Sequence, residues 1–207
     1  MYFNAHHHQT SFWGIYNLEL KEGTPNSYFS VGLHPAEVTP NFQKDLAALQ
    51  SLAQNPLCLA IGECGLDGLI SVDETLQTEA FKAQIKLAEE LNKPLIIHCV
   101  RRYYEIAKLC EKVSIPVIFH GYNKNETIAK MLIEKGFYLS FGHALLNRVS
   151  LQAVFKNLHL DRLLLETDDA DIDIKTIYQK AATLKAMSLE LLTQQIIDNS
   201  RRIFKMK

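Results

Sequence analysis

Six side chains able to hold a divalent cation stand at the ends of short apolar runs. His6 and His8 follow Met1-Tyr2-Phe3, and Glu63 follows Leu57-Cys58-Leu59-Ala60-Ile61. His98 follows Leu95-Ile96-Ile97, His120 follows Val117-Ile118-Phe119, and Asp168 follows Leu163-Leu164-Leu165. Four imidazoles and two carboxylates gathered at one place could hold one or two divalent ions, with zinc, magnesium and manganese all compatible. Such an ion lowers the pKa of a water beside it from about 15.7 towards ~7, which is the basis of hydrolysis at neutral pH.

Each position also has a plainer reading. His6 and His8 lie two apart, so on a strand they face one way while His7 faces the other; a solvated polar end or a tag remnant is the alternative. A carboxylate at a buried strand end, as at Glu63, costs several kcal/mol unless paired. Bridging a metal pair would meet that cost, and so would a salt bridge. His98 and His120 each finish an apolar run introduced by a proline, Pro94 and Pro116. Alone, each is an ordinary hydrogen-bonded core histidine; together they point to metal. Asp168 competes with Glu166 and Asp169 for the ligand role, and Glu166 shares its face. Asp67 is read as a loop brace. His34, at the end of Val31-Gly32-Leu33, either touches substrate or braces its loop. Arg101 and Arg102 either meet an anionic substrate, since guanidinium suits phosphate oxygens, or begin a solvated helix. His143 and His159 are read as structural or exposed.

The elements that must position these groups alternate. The runs predict eight strands: the opening one, then Ser11–Leu20, Tyr28–Leu33, Cys58–Gly62, Pro94–His98, Val117–His120, Phe137–Phe141 and Arg162–Glu166. Apolar residues at helical spacing predict helices over Asn41–Gln54, Glu74–Leu91, Tyr103–Lys112, Asn125–Lys135, Ser150–Asn157, Ile174–Ala186 and Leu189–Phe204. Short, apolar, partly β-branched strands between helices indicate a parallel α/β barrel of the (β/α)8 TIM type, whose strand C-termini converge on one mouth. Between His8 and Ser11 there is no room for a crossover helix, although parallel strands ordinarily need a dozen or more connecting residues. Either the first two strands are not parallel neighbours or the barrel is incomplete there. The barrel is therefore expected to be shortened or distorted at its first βα unit.

At 207 residues the chain fits one domain, 1–207, with a substantial core. With 22 Lys plus Arg against 23 Asp plus Glu, it lacks the overall basic footprint of a protein that grips duplex nucleic acid, though a local basic rim is compatible with that balance. The 4 cysteines, Cys58, Cys64, Cys99 and Cys110, form no CxxC pair and are read as reduced and structural, with metal ligation by Cys64 or Cys99 the lesser alternative. No signal peptide is visible and no apolar stretch approaches the ~20 residues that cross a bilayer. A cytoplasmic protein without a membrane partner is expected.

The ordered set resembles the TatD family of metal-dependent hydrolases, a branch of the amidohydrolase-like TIM barrels. The likeness runs through His6-His7-His8 (HxH), Gly32-Leu33-His34-Pro35 (GxHP), Ile61 to Asp67 (IGExGLD), Phe81 to His98, His120-Gly121-Tyr122, Glu166-Thr167-Asp168 (ETD) and Asn199 to Phe204. It implies that His6, His8, Glu63 and Asp168 surround one ion, and Glu63, His98 and His120 a second. It also implies Glu63 and Asp168 as catalytic carboxylates, His34 and Arg101 towards substrate, and hydrolysis of phosphodiester bonds in DNA or nucleotides. The chain departs from the family pattern at several points. Asn4 stands for the usual aspartate, Val100 for an arginine that is displaced to Arg101, and Tyr122-Asn123-Lys124 for the FSG of HxFSG; the proline after Asp168-Asp169 is missing. Two other functions fit the same ligands: hydrolysis of a small ester, amide or lactone, and metal binding without catalysis.

Overall fold

The computed structural model describes residues 1–9 and 13–206. Eight strands form one parallel sheet in sequence order. They are β1 (Asn4–His7), β2 (Gly14–Leu18), β3 (Phe29–Val31), β4 (Cys58–Asp67), β5 (Leu95–Val100), β6 (Val117–Phe119), β7 (Tyr138–Phe141) and β8 (Leu163–Leu165). The helices are α1 (Phe42–Ala53), α2 (Glu74–Glu90), α3 (Tyr103–Leu109), α4 (Glu126–Glu134), α5 (Ala144–Asn147), α6 (Val149–Asn157), α7 (Ile174–Leu184) and α8 (Leu189–Phe204). The sheet closes where β1 meets the chain beyond β8. His7 bridges Asp168 in parallel, the Asp168 amide donates to the His6 carbonyl at 3.1 Å, and the buried Asn4 side chain clasps Thr167.

The eight-stranded barrel expected from the sequence is therefore present, with corrections of detail. The first two strands are parallel neighbours, Asn4 opposite Gly14 and His7 opposite Tyr16, with an irregular register between. The link carries no helix among its described residues, and with β1 this short none is needed. The 4 residues of β1 span about 13 Å, while the six residues 8–13 reach up to about 20 Å when extended. Gly14 permits the close pairing, since a Cβ there would lie 2.0 Å from the Asn4 carbonyl oxygen. The second strand is shorter than the predicted Ser11–Leu20, and Ser11 and Phe12 lie outside the described residues. No helix joins β2 to β3 either; that loop folds back so that the Tyr16 hydroxyl donates to Glu22 at 2.9 Å. The fourth strand continues past Gly62 to Asp67, and α5 had no sequence counterpart.

Two apolar clusters divide the core. The larger packs strands against helices; α2 contributes Ala80, Phe81, Ile85, Leu87 and Ala88, on the predicted stripe. The smaller joins Ile15, Ala60, Ile96, Ile118 and Leu164 with Phe3 and with Ile203 and Phe204 at the end of α8. Strand alternation assigns this second cluster to the barrel interior, sealed at one end by α8. Two residues further along the same faces come His98, His120 and Glu166, so the interior changes from apolar to ionisable towards the mouth. All four cysteines are buried and free. Among the described residues, no helix is long and apolar enough to cross a membrane.

Candidate metal centre

Glu63 is the hub of the mouth. It follows Gly62 and precedes Gly65 by two residues, and both glycines have positive φ, 145° and 148°. A Cβ on Gly62 would lie 2.4 Å from the Ile96 carbonyl oxygen and one on Gly65 2.0 Å from that of His98. The glycines thus let β4 press against β5 and bring Glu63 beside His98. The Glu63 amide donates to Asn17 Oδ1 at 3.0 Å, which fixes the backbone from the β2 side.

The two carboxylate oxygens of Glu63 face different imidazoles. Oε1 lies 2.7 Å from His98 Nδ1, 2.7 Å from His120 Nε2 and 3.6 Å from His34 Nε2. Oε2 lies 3.4 Å from His6 Nε2 and 3.9 Å from His8 Nε2. Asp168 Oδ1 stands 3.5 Å from both His6 Nε2 and His8 Nε2. Asp168 itself has φ of 57°, a left-handed conformation that costs an ordinary residue on the order of 1–3 kcal/mol and tends to persist at functional sites.

Three donor groups compact enough to hold an ion emerge, each with its atoms within 4.8 Å of one another: His6, His120 and Asp168; His6, His8 and Glu63; and His34, Glu63 and His98. The six expected ligands converge on one mouth, and none of the three groups contains a cysteine. Burial pushes the Cys64 thiol well above its ordinary value, so it is a poor thiolate donor. The donor set suits a cation on a further count. Both ring nitrogens of His6 are buried without a hydrogen bond, as is His120 Nδ1. Buried polar atoms are seldom left so; an imidazole turns one nitrogen to a metal, so a bound cation would satisfy His6 Nε2, which faces Glu63 and Asp168.

Further carboxylates steady the imidazoles. Asp67 Oδ2 lies 3.1 Å from His98 Nε2 while its Oδ1 accepts from the Leu69 amide, so it orients a histidine as well as bracing the loop. Glu166 is fully buried, accepts from the Gly121 amide and lies 3.5 Å from His120 Nδ1, as its shared face with Asp168 suggested. Such carboxylate–imidazole contacts fix ring orientation and raise ligand basicity. Two glutamines hold strand ends: Gln84, which lies within the Phe81–His98 likeness, exchanges hydrogen bonds with the Leu33 backbone, and Gln77, which the sequence did not single out, with that of Asp67.

The electrostatics are those of a tight carboxylate–imidazole cluster. Burial alone would raise the Glu63 pKa, but His120 and its other imidazole partners hold it well below the carboxylate range. The Asp168 pKa is likewise lowered, burial being outweighed by His6 and His8. Burial tends to lower the His120 pKa, yet Glu63 and Glu166 raise it well above 6.5; the His6 pKa is raised too, against burial, by Asp168 and Glu63. His34 behaves differently. Burial lowers its pKa to about 4, and its Nδ1 accepts from the Ala36 amide at 3.2 Å. The neutral ring therefore carries its proton on Nε2 and presents a donor to the mouth.

Arg101 does not join the cluster. It directly follows β5, with φ of 57°, and lines a rim cavity with Tyr103, Tyr104 and Lys124. Arg102 is engaged by Glu74 at 2.9 Å. His143 is exposed and lines a 260 Å³ cavity that also contacts Asp168 and Glu166, a placement its sequence context did not signal. His159 is exposed, just before a 3-10 turn.

With this geometry in place, comparison with known proteins is decisive. A model of the TatD related DNase family matches residues 9–205. The chain belongs to that family. It is 28% identical to the metal-dependent hydrolase YabD of Bacillus subtilis, over 91% of this chain and 81% of the relative. It is 27% identical to the 3'-5' ssDNA/RNA exonuclease TatD of Edwardsiella piscicida, over 91% and 82%. Among solved structures, the fold is shared with the TatD homologue YjjV of Escherichia coli, at a TM-score of 0.79 and 21% identity, covering 87% of this chain and 77% of that one. Family membership places the chain among metal-dependent hydrolases acting on ester bonds.

Proposed function

We propose that the chain is a metal-dependent phosphodiesterase that trims single-stranded nucleic acid, working in the cytoplasm as one catalytic unit over residues 1–207. The observation that carries this reading is the division of Glu63 between two sets of imidazoles, His98 and His120 on one oxygen and His6 and His8 on the other. In this reading His6, His8, Glu63 and Asp168 hold one cation, and Glu63, His98 and His120 the other. Divalent cations bound there would lower the pKa of a water and neutralise charge on the transferring phosphoryl group.

The chain's own residues supply the rest. Asp168, 28% exposed, is the accessible carboxylate of the cluster and takes the proton of the attacking water at Oδ1; Glu63, 8% exposed, is too enclosed for that task and would serve to hold the cations. The His34 Nε2–H donates to a phosphoryl oxygen. Four buried, reduced cysteines suit a reducing compartment. The names of relatives such as the Edwardsiella exonuclease support single-stranded DNA or RNA as substrate.

Glu63→Gln and Asp168→Asn test the assignment. Each should lower metal-dependent cleavage of a single-stranded oligonucleotide by a factor on the order of 10³ or more, and chelation should abolish wild-type cleavage. Equal cleavage by wild type and both variants would show that the activity does not belong to this site.

A further inference from the structure

A path of positive charge leads away from Asp168. The 260 Å³ cavity that Asp168 lines is walled on its other side by Asn123 and Arg148. Those two residues also wall a neighbouring 520 Å³ cavity, which Lys124 enters. Lys124 in turn lines a third cavity of 270 Å³, with Arg101 and the exposed Tyr104. Shared walls make the three a continuous trough along the β5–β7 side of the mouth. Its cations are Arg148, Lys124 and Arg101, and among the described residues no ion pair occupies any of them, whereas nearby Arg102 is held by Glu74. The one carboxylate along the middle stretch, Glu126, is drawn off by Lys130 at 2.9 Å. In a chain of net charge −1, three uncommitted cations in a row beside the centre form a local field, not a general basicity.

We propose that this trough is the track for a single-stranded nucleic acid whose terminal phosphodiester lies at Asp168. Arg148, Lys124 and Arg101 contact backbone phosphates, and the ring of Tyr104 carries an unstacked base. The assignment rests on the phosphodiesterase reading, which already takes a single strand as substrate, and adds to it the residues that hold the strand. Single-strand binders combine such a charged groove with aromatic platforms, and stacking is indifferent to base identity. The resemblance already turned Arg101 towards substrate; Lys124, which stands where the family pattern departs, Arg148 and Tyr104 are what the track adds.

The test is binding of a short phosphorothioate oligothymidylate, which resists cleavage, measured by fluorescence anisotropy over a range of salt. Replacing Lys124→Ala and Arg148→Ala together should weaken binding about tenfold at low salt and flatten the salt slope by about 1.4, roughly 0.7 for each lost phosphate contact. Tyr104→Ala should weaken binding without changing the slope. Lys82→Ala with Lys86→Ala, on α2, should change neither. A double variant that binds with wild-type affinity and slope, while wild type binds well, would overturn the track and leave the phosphodiesterase reading standing. Absence of any binding or cleavage of single strands by wild type would overturn both.

Discussion

The barrel has two unlike sides that meet at one cluster. From β3 onward each strand end is followed by a helix, and His34, Glu63, His98, His120 and Asp168 come from that side. Between β1 and β3 the links carry no helix among the described residues, yet this side supplies His6 and His8. What holds the second side is hydrogen bonding across the barrel. Asn4 exchanges bonds with Thr167 at 2.7 and 3.0 Å, the Asp168 amide donates to the His6 carbonyl, and Asn17 holds the Glu63 amide. Crossover helices are thus one way to position donors at a barrel mouth, and a few buried polar clasps are another.

The sharpest way to break this comparison is at Asn4, which is fully buried. Asn4→Leu leaves the Thr167 amide and hydroxyl without partners, at about 3 kcal/mol for two buried groups. Because Thr167 adjoins Asp168, metal affinity should fall with stability. Asn4→Asp keeps both contacts, with the Thr167 hydroxyl now donating, and should stay close to wild type in metal titration. Equal metal affinity in Asn4→Leu and wild type would show that the clasp does not position the donors. The matching change on the helical side is milder. Gln84→Leu removes the bonds from α2 to the Leu33 backbone and should cost about 2 kcal/mol in denaturant unfolding. Helix α2 stays docked through Phe81 and Ile85, and metal titration should be unchanged because of the six proposed ligands none is held by Gln84.

Much of this was readable from the residues. The alternation of elements followed from apolar runs against helical stripes, and Leu189–Phe204 came out with its observed bounds. The donors were legible because each closes an apolar run. What stayed hidden was what local pattern does not encode. Gln77 looks like a solvent-facing position within a helical stripe, and Gln84, though inside the Phe81–His98 likeness, carries no sign of its partner; only strand ends brought beside them give them meaning. Asp67 read as a loop brace because its second partner, His98, is 31 residues away. Asn4 was visible as a departure, but its partner lies 163 residues on. Arg148 and His143 belong to a stretch whose short helix, α5, has no periodicity to announce it. The parallel pairing of β1 with β2 turned on strand length, which composition does not give.

The smallest effect separates the imidazoles by their carboxylate partners and not by the side they come from. His6 and His120 have raised pKa values in the folded, metal-free chain, so above the ordinary 6.5 they still hold protons that the unfolded chain has lost. Their contribution is complete below 6.5 and fades as pH rises through the folded values. Glu63 and Asp168, with lowered values, contribute fully above 4.5 and 3.8 and add no slope in that range. His34 and His7, both lowered to about 4 by burial, are neutral in both states above 6.5 and add none either. The metal-free protein should therefore lose thermal stability from pH 6.5 upward. A cation must displace the protons of His6 and His120, so its affinity should rise by up to about tenfold per pH unit for each proton released. Melting temperatures measured with and without zinc should diverge as pH rises, and titration should release protons near neutrality. Parallel melting curves across that range would mean that the cation binds elsewhere than among these imidazoles.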